Sequence, residues 1–386
     1  MNSSGITKRV LVVGESSRST LAVIRSLGRA GIEVDLATSD PHAPVVASRY
    51  VRNTIVLPRV SAGIPQWVAA LYAAAEQKKY DLLIPTTEGV FVPCIENRDI
   101  FSRVVKCALP SSEAFAVTHN KASTSSLARK LGISTPLTTI IESESDIDLA
   151  LQSAEFPVAI KPSHSRVIVD GIPVGLSVSI VHSIEAARNE ILAKLPFGSV
   201  LVQEYWPGRG VGQEFICKEG HVLAQFQHNR IREQVGSGGS TYRVSAPMHA
   251  GMLEASRKIL AELVWDGVVM VEYRFDEQTG EFVLLEINGR LWGSLPLAVA
   301  AGADFPLWIY NLFVLGSYPQ YISGKKTYRK NLYGRDLFAD ISLCMRQGLW
   351  RGIACSFQSA VGLLVGKETW DSFSLDDMVP WIRECS

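Results

Sequence analysis

Two apolar runs in the second half of the chain carry charge where a buried strand tolerates it least. Residues 267–275 (Gly-Val-Val-Met-Val-Glu-Tyr-Arg-Phe) and 281–287 (Glu-Phe-Val-Leu-Leu-Glu-Ile) read as the two strands of a long hairpin. Residues two apart on a strand share a face, so Glu286 and Asn288 project together and Glu272 can face them from the partner strand. Ordinary surface alternation would leave Glu286 among Leu284, Leu285 and Ile287 with nothing to offset the burial of its charge. Two carboxylates and an amide oxygen converging on an apolar sheet make a hard-oxygen site suited to Mg²⁺ shared with nucleotide phosphates.

The 386 residues suffice for two or three domains. With 47% hydrophobic and 20% charged residues the chain can bury a real core and is unlike a disordered polymer. Lys plus Arg (38) cancels Asp plus Glu (38), so no overall field draws it to nucleic acid or anionic lipid. Six cysteines form no C-x-x-C pair and no zinc-like spacing, which predicts reduced, mostly buried thiols. The polar N-terminus passes directly into the strand Val10 to Val13 without a signal core, and this predicts a cytoplasmic protein. The strongest apolar run, 353–365, is broken by Gln358 and Gly362 and is too short to span a bilayer.

Residues 9–36 spell strand, helix, strand, and 81–85 form a buried parallel strand ending in Thr86-Thr87-Glu88-Gly89. Ligands bind at the carboxyl ends of such strands, which makes Glu88 a candidate substrate contact; capping of the next helix by the same segment is the alternative. The first turn, Gly-Glu-Ser-Ser-Arg-Ser, lacks G-x-G-x-x-G and disfavours a nicotinamide dehydrogenase. Pro110 and Ser111-Ser112 mark a domain joint. Beyond it, a helical stretch 113–131 holds Lys121, and mixed strands and helices without strict alternation indicate α+β packing.

Lys161 ends a strand (Val-Ala-Ile-Lys-Pro), and Lys121 lies near a helix start; separated lysines of this kind can hold different phosphates of one nucleotide. Gln203, Glu204, Tyr205 and Trp206 end another apolar strand and break at Pro207-Gly208, either a hinge offering backbone groups to an adenine edge or a plain exit turn. Arg230 and Arg232, two apart on one strand, can clamp a carboxylate bidentately, with pairing to Glu233 as the alternative. The glycine-rich loop 236–240, which includes Ser240, reads either as a segment that closes over the site or as a hairpin tip.

In this order, Lys121, Lys161, the Glu204-Tyr-Trp-Pro-Gly run, Val-Glu272-Tyr and Leu-Leu-Glu286-Ile-Asn288-Gly-Arg290 resemble the ATP-grasp superfamily over roughly residues 8 to 315. The run His228-Asn-Arg230-Ile-Arg232-Glu, the Gly238-Gly239-Ser240-Thr241 loop and Trp292-Gly293-Ser294 look most like its stand-alone bacterial carboxylate-amine ligases. The resemblance implies an α/β and α+β architecture: an N-terminal parallel α/β (pre-ATP-grasp) domain over 1–110, a two-lobed ATP-grasp domain over 111–315 (small lobe about 118–205, large lobe about 206–315) and a helical C-terminal extension over 316–386. It further implies ATP with Lys121 and Lys161 on its phosphates, Gln203 to Trp206 as adenine hinge and Glu214 at the ribose. Mg²⁺, or Mn²⁺ in its place, would sit on Glu272, Glu286 and Asn288.

The implied reaction joins a small carboxylate to an amine through an acylphosphate, with Arg290, Arg230 and Arg232 as catalytic cations and Glu88 and Ser240 toward substrate. Partners would be small molecules, with no nucleic acid and a homodimer left open. Alternatives are a ligase acting on a cell-wall or capsule precursor and a nucleotide-binding regulator without turnover. Three departures narrow the resemblance: a glycine-poor loop after Lys161, Met270 where D-alanine:D-alanine ligases carry arginine, and Trp292 where biotin carboxylase has glutamine. The tail is locally basic over 325–351, and 343–365 reads as one or two amphipathic helices. Packing or self-association is expected of them rather than lipid binding, because the net charge is zero.

Overall fold

The computed structural model describes residues 8–15, 17–164, 166–169, 172–233, 239–317 and 328–385. Three sheets organise it. The first is parallel, with strands β1 (Arg9–Val13), β2 (Glu33–Thr38), β3 (Val51–Val56), β4 (Leu82–Pro85) and β5 (Lys106–Cys107) in the order β3-β2-β1-β4-β5. Alternation decides how β1 is used. Val10 and Val12 join one apolar cluster and Leu11 and Val13 another, so both faces are covered. Each such side chain contributes roughly 1.5–3 kcal/mol relative to exposure.

The second sheet comprises β6 (Thr138–Ile141), β7 (Val158–Pro162), β10 (Ser179–Val181) and β11 (Val200–Glu204), ordered β10-β7-β11-β6 and antiparallel throughout. Between β7 and β10 a hairpin, β8 (Arg166–Val169) and β9 (Ile172–Gly175), occupies the glycine-poor loop. The third sheet has seven strands: β12 (Arg209–Lys218), β13 (His221–Glu233), β14 (Ser240–Ser245), β15 (Gly267–Phe275), β16 (Phe282–Asn288), β17 (Tyr333–Arg335) and β18 (Glu368–Trp370). Their order is β16-β15-β12-β13-β14-β17-β18. One apolar cluster runs from β1 and the helix Arg18–Arg29 to Phe226, Met270, Trp292 and Phe305, joining the parallel sheet to the seven-stranded one.

Two expectations change. The stretch 113–131 is two helices, Ser112–His119 and Lys121–Lys130, broken at Asn120, whose carboxamide caps the second by accepting from the Ser123 N–H at 3.0 Å. The C-terminal extension does contain helices, Leu337–Arg346, Leu349–Leu364 and Val379–Cys385, but it also supplies β17 and β18. It returns to the first helix through Arg25 on Asp377 (2.9 Å), Arg18 on Asp371 (3.0 Å) and Arg29 on Asp376 (2.7 Å). The tail therefore completes the sheet instead of capping it. Lys325, Lys326 and residues 236–238 of the glycine-rich loop lie outside the described residues. All six cysteines are free thiols, five of them buried and Cys385 exposed. No helix among the described residues is long and apolar enough to cross a membrane.

Candidate active site

Register places the carboxylates. In the β15–β16 hairpin Glu272 lies opposite Glu286 and Met270 opposite Asn288, with an irregularity just after Glu272. The Asn288 amide nitrogen donates to Glu272 Oε1 (3.1 Å) and to Glu286 Oε1 (3.0 Å). The guanidinium of Arg230, from β13, donates to the other oxygen of Glu272. Burial pushes the Glu272 carboxyl up to about 7, with Arg230 opposing and Glu286 adding repulsion. Burial acts on Glu286 in the same direction, yet Lys121, the Asn288 amide and Lys161 outweigh it and hold its carboxyl below the usual range. Two carboxylates forced together with unequal proton affinity, beside an amide oxygen, suit a hard divalent cation, whose charge would ionise both.

Two chambers meet at this cluster. One, of about 350 Å³, has apolar walls from Ala159, Val178, Ile180 and Leu285 and is closed at its rim by Gln203 to Trp206. The other, of about 470 Å³, is charged, with Arg18, Glu88, Lys121, Arg290, Trp292 and Ser240 on its walls. Arg230, Glu272 and Glu286 line both. Lys161 projects from β7 into the first chamber, and Lys121, the first residue of its helix, borders the second.

At the rim, the Gln203 side chain donates to Thr138 Oγ1 (2.9 Å) and Glu204 accepts from the Leu137 N–H (3.1 Å), so both side chains tie β11 to the segment entering β6. Tyr205 and Trp206 line the chamber beside them, and the Glu204 N–H is itself given to the Leu137 carbonyl at 2.8 Å. Glu88, opening a helix after β4, accepts from Arg290 at 2.9 and 3.2 Å and lies 3.5 Å from His119. Burial raises Glu88, but His119 and Arg290 prevail and bring it down to about 2.

Two candidates stand elsewhere. Glu214 is fully buried and does not line the apolar chamber; its carboxylate is 2.6 Å from His228 Nδ1 and 3.4 Å from Ser294 Oγ. It lies opposite Met270 and Phe226 on a central strand, and burial raises its pKa strongly, so a ribose contact is replaced by an internal hydrogen bond with His228. Arg232 does not share the face of Arg230. The register slips between them around Ile231, which is 44% exposed, and Arg232 instead forks onto Asp340 at 2.8 and 2.6 Å.

The sequence reading missed Arg18, which lines the charged chamber while paired with Asp336 (2.7 Å) and Asp371. It also missed Gly212, opposite Glu272 on β12, where a Cβ would come within 2.3 Å of the His228 ring. The alternating glycines at 210 and 212 in β12 were the available signal for a close approach over that face.

A small antiparallel sheet contributing a lysine and a hinge, set against a larger sheet contributing paired carboxylates, defines a nucleotide-grasping class of fold. The chain is similar to the ATP-grasp superfamily in fold and, over part of its length, in sequence. Residues 196–329 match the family model described as ATP-grasp in the biosynthetic pathway with Ter operon. Among solved structures, L-amino acid ligase from Bacillus licheniformis superposes with a TM-score of 0.66 at 12% identity, over 86% of this chain and 79% of that one. Biotin carboxylase from Campylobacter jejuni, solved as a β,γ-ATP complex, gives 0.64 at 16% identity over 84% and 74%. N5-carboxyaminoimidazole synthetase from Staphylococcus aureus, complexed with ADP, gives 0.62 at 14% over 83% and 80%. A putative urea carboxylase of Emericella nidulans is 22% identical over 231 residues, 56% of this chain, and the chain spans only 18% of that relative's length.

Proposed function

We propose that the chain is an ATP- and Mg²⁺-dependent ligase that activates a small carboxylate as an acylphosphate and transfers it to an amine, releasing ADP and phosphate. The observation that carries this reading is the sharing of Arg230, Glu272 and Glu286 by an apolar chamber and a charged one. Adenine fits the apolar walls against the 203–206 segment, and the phosphates reach the shared cluster under Lys161 and Lys121. Glu272, Glu286 and Asn288 would hold Mg²⁺, which when bound supplies charge neutralisation for phosphoryl transfer. Arg290, fixed by Glu88, faces the charged chamber and can stabilise the oxyanion as the amine attacks. ATP-grasp ligases and carboxylases among the solved structures support this reading at the level of the class.

The test is ADP and phosphate release from Mg-ATP against pooled carboxylates and amines. Release that requires one member of each pool is expected. AMP and pyrophosphate would overturn the acylphosphate route, and release indifferent to the amine would overturn ligation.

Lys161 adds a pH signature. Burial pulls its ammonium down to about 8; Glu286 and Glu272 oppose this, and Lys121 and Arg274 reinforce it. The native state therefore gives up this proton before the unfolded chain does, and folding stability rises with pH between about 8 and the ordinary 10.5. A nucleotide phosphate needs the charged form, so nucleotide affinity is expected to fall by up to about tenfold per pH unit above pH 8 as a proton must be taken up on binding. Calorimetry of Mg-ADP binding from neutral to alkaline pH checks it. A Lys161→Met variant should bind weakly and flatly, and a flat wild-type profile would remove Lys161 from the phosphates.

A further inference from the structure

The helix Leu349–Leu364 is built inside out. Its buried residues are Gly352, Cys355 and Ser359, all small, while Trp350 (80%), Phe357 (72%) and Leu364 (84%) stand exposed together with Ile353 and Val361. The positions 350, 353, 357, 361 and 364 recur every three or four residues and form one outward apolar stripe. A Cβ at position 352 would come within 2.3 Å of Met345 Cγ, so glycine there lets this outer helix lie close on the preceding helix, Leu337–Arg346. The expected packing is therefore achieved by the small side, and among the described residues no element covers the large apolar side.

The surrounding charge is one-sided. From Ile341 to Lys367 the chain carries three cations, Arg346, Arg351 and Lys367, all exposed, and no carboxylate. The zero net charge of the whole molecule conceals this separation. A second copy seated on the same stripe would bring cation against cation whether the helices ran parallel or antiparallel, with no acid in the stretch to offset them. Anionic headgroups offset them directly. The helix has 16 residues, about 24 Å, too short to span a bilayer and long enough to lie along one.

We propose that this face docks on an anionic bilayer surface. The outer helix lies in the membrane plane with Trp350, Phe357 and Leu364 at the boundary of headgroups and acyl chains, and Arg346, Arg351 and Lys367 meet lipid phosphates. The helix packs against β18, one edge of the seven-stranded sheet, whereas Glu286 is on β16 at the other edge. Docking thus leaves the candidate active site clear of the lipid.

The test is flotation of the full chain with vesicles of phosphatidylcholine and phosphatidylglycerol in equal parts, beside vesicles of phosphatidylcholine alone. The chain is expected to float with the anionic vesicles only, and to be released by high salt. Trp350→Ser combined with Phe357→Ser should reduce the bound fraction about tenfold or more, and Arg351→Glu combined with Lys367→Glu should reduce it comparably with the apolar stripe intact. All four positions are exposed, so melting temperatures should match wild type; were the double serine variant to misfold, Leu364→Asn alone takes its place. Absence of flotation, or flotation indifferent to both variants, overturns the proposal. A concentration-dependent dimer lost in the serine variant, without vesicle binding, assigns the face to a second copy and overturns it as well. None of these readings uses turnover, so the result stands apart from the ligase reading.

Discussion

Glu286→Gln is expected to lower ATP-dependent phosphate release by at least about a hundredfold while leaving the fold in place. The substitution keeps the shape and a hydrogen-bonding partner for the Asn288 amide, and removes only the negative charge that Lys121 and Lys161 hold in its ionised form. Of the paired carboxylates it is Glu286 that stays below the usual range, so it supplies the permanent charge of the cluster, whereas Glu272 is lifted to about 7 and leans on Arg230. Losing that charge weakens the ligand for a divalent cation and leaves two lysines with less compensation, which lowers the proton affinity of Lys161 further. Mn²⁺ titration followed by electron paramagnetic resonance should show the metal affinity falling in parallel with turnover. Turnover within about threefold of wild type, with metal affinity intact, would take Glu286 out of the cation site and with it the chemistry assigned to the hairpin.

The hairpin was legible because its charges interrupt two apolar runs, and the register observed sets Glu272 opposite Glu286. Lys161 and Lys121 were legible singly, but their approach to one cluster depends on how β7 and the helix Lys121–Lys130 are brought over β16, which no local pattern encodes. Arg232 was misplaced because an extra residue at Ile231 reverses the alternation, and a bulge leaves little mark in a polar stretch such as His-Asn-Arg-Ile-Arg-Glu. Glu214 was misplaced for a related reason. Alternation tells which residues share a face, not which carboxylate on that face is sealed off against His228 and Ser294. The strands β17 and β18 have three residues each, too few for any period to register, and so the tail read as helix alone.

Asp340→Ala is expected to destabilise the chain by about 3–5 kcal/mol, because it breaks a buried ionic cluster on one side only. Asp340 is fully buried and accepts from Arg232, from Thr241 Oγ1 (2.7 Å), from Cys355 Sγ (3.2 Å) and from Arg335. Arg335 is equally buried, forks onto Glu368 at 2.6 and 2.9 Å, and lies 3.8 Å from the centre of the Tyr242 ring. Two guanidiniums thus balance two carboxylates, and the cluster joins β13, β14, β17 and β18 to the helix that supports the outer apolar face. Removing Asp340 frees Arg232 from its anchor and leaves Arg335 with one carboxylate partner, Glu368, whereas exchanging Asp340 and Arg335 together for Leu and Met should recover much of the loss. Burial would raise the Asp340 carboxyl, but Arg232, Thr241 and Cys355 hold it down to about 2. The sign follows from this depression: its contribution is complete above the ordinary value of 3.8 and fades as pH falls toward 2. Urea melts of wild type and Asp340→Asn should therefore differ most near neutral pH and converge as pH approaches 2. A gap below about 1 kcal/mol at neutral pH, or one that widens in acid, would mean that the cluster does not hold the tail to the sheet and that Arg232 is kept from the active site by the bulge at Ile231 alone.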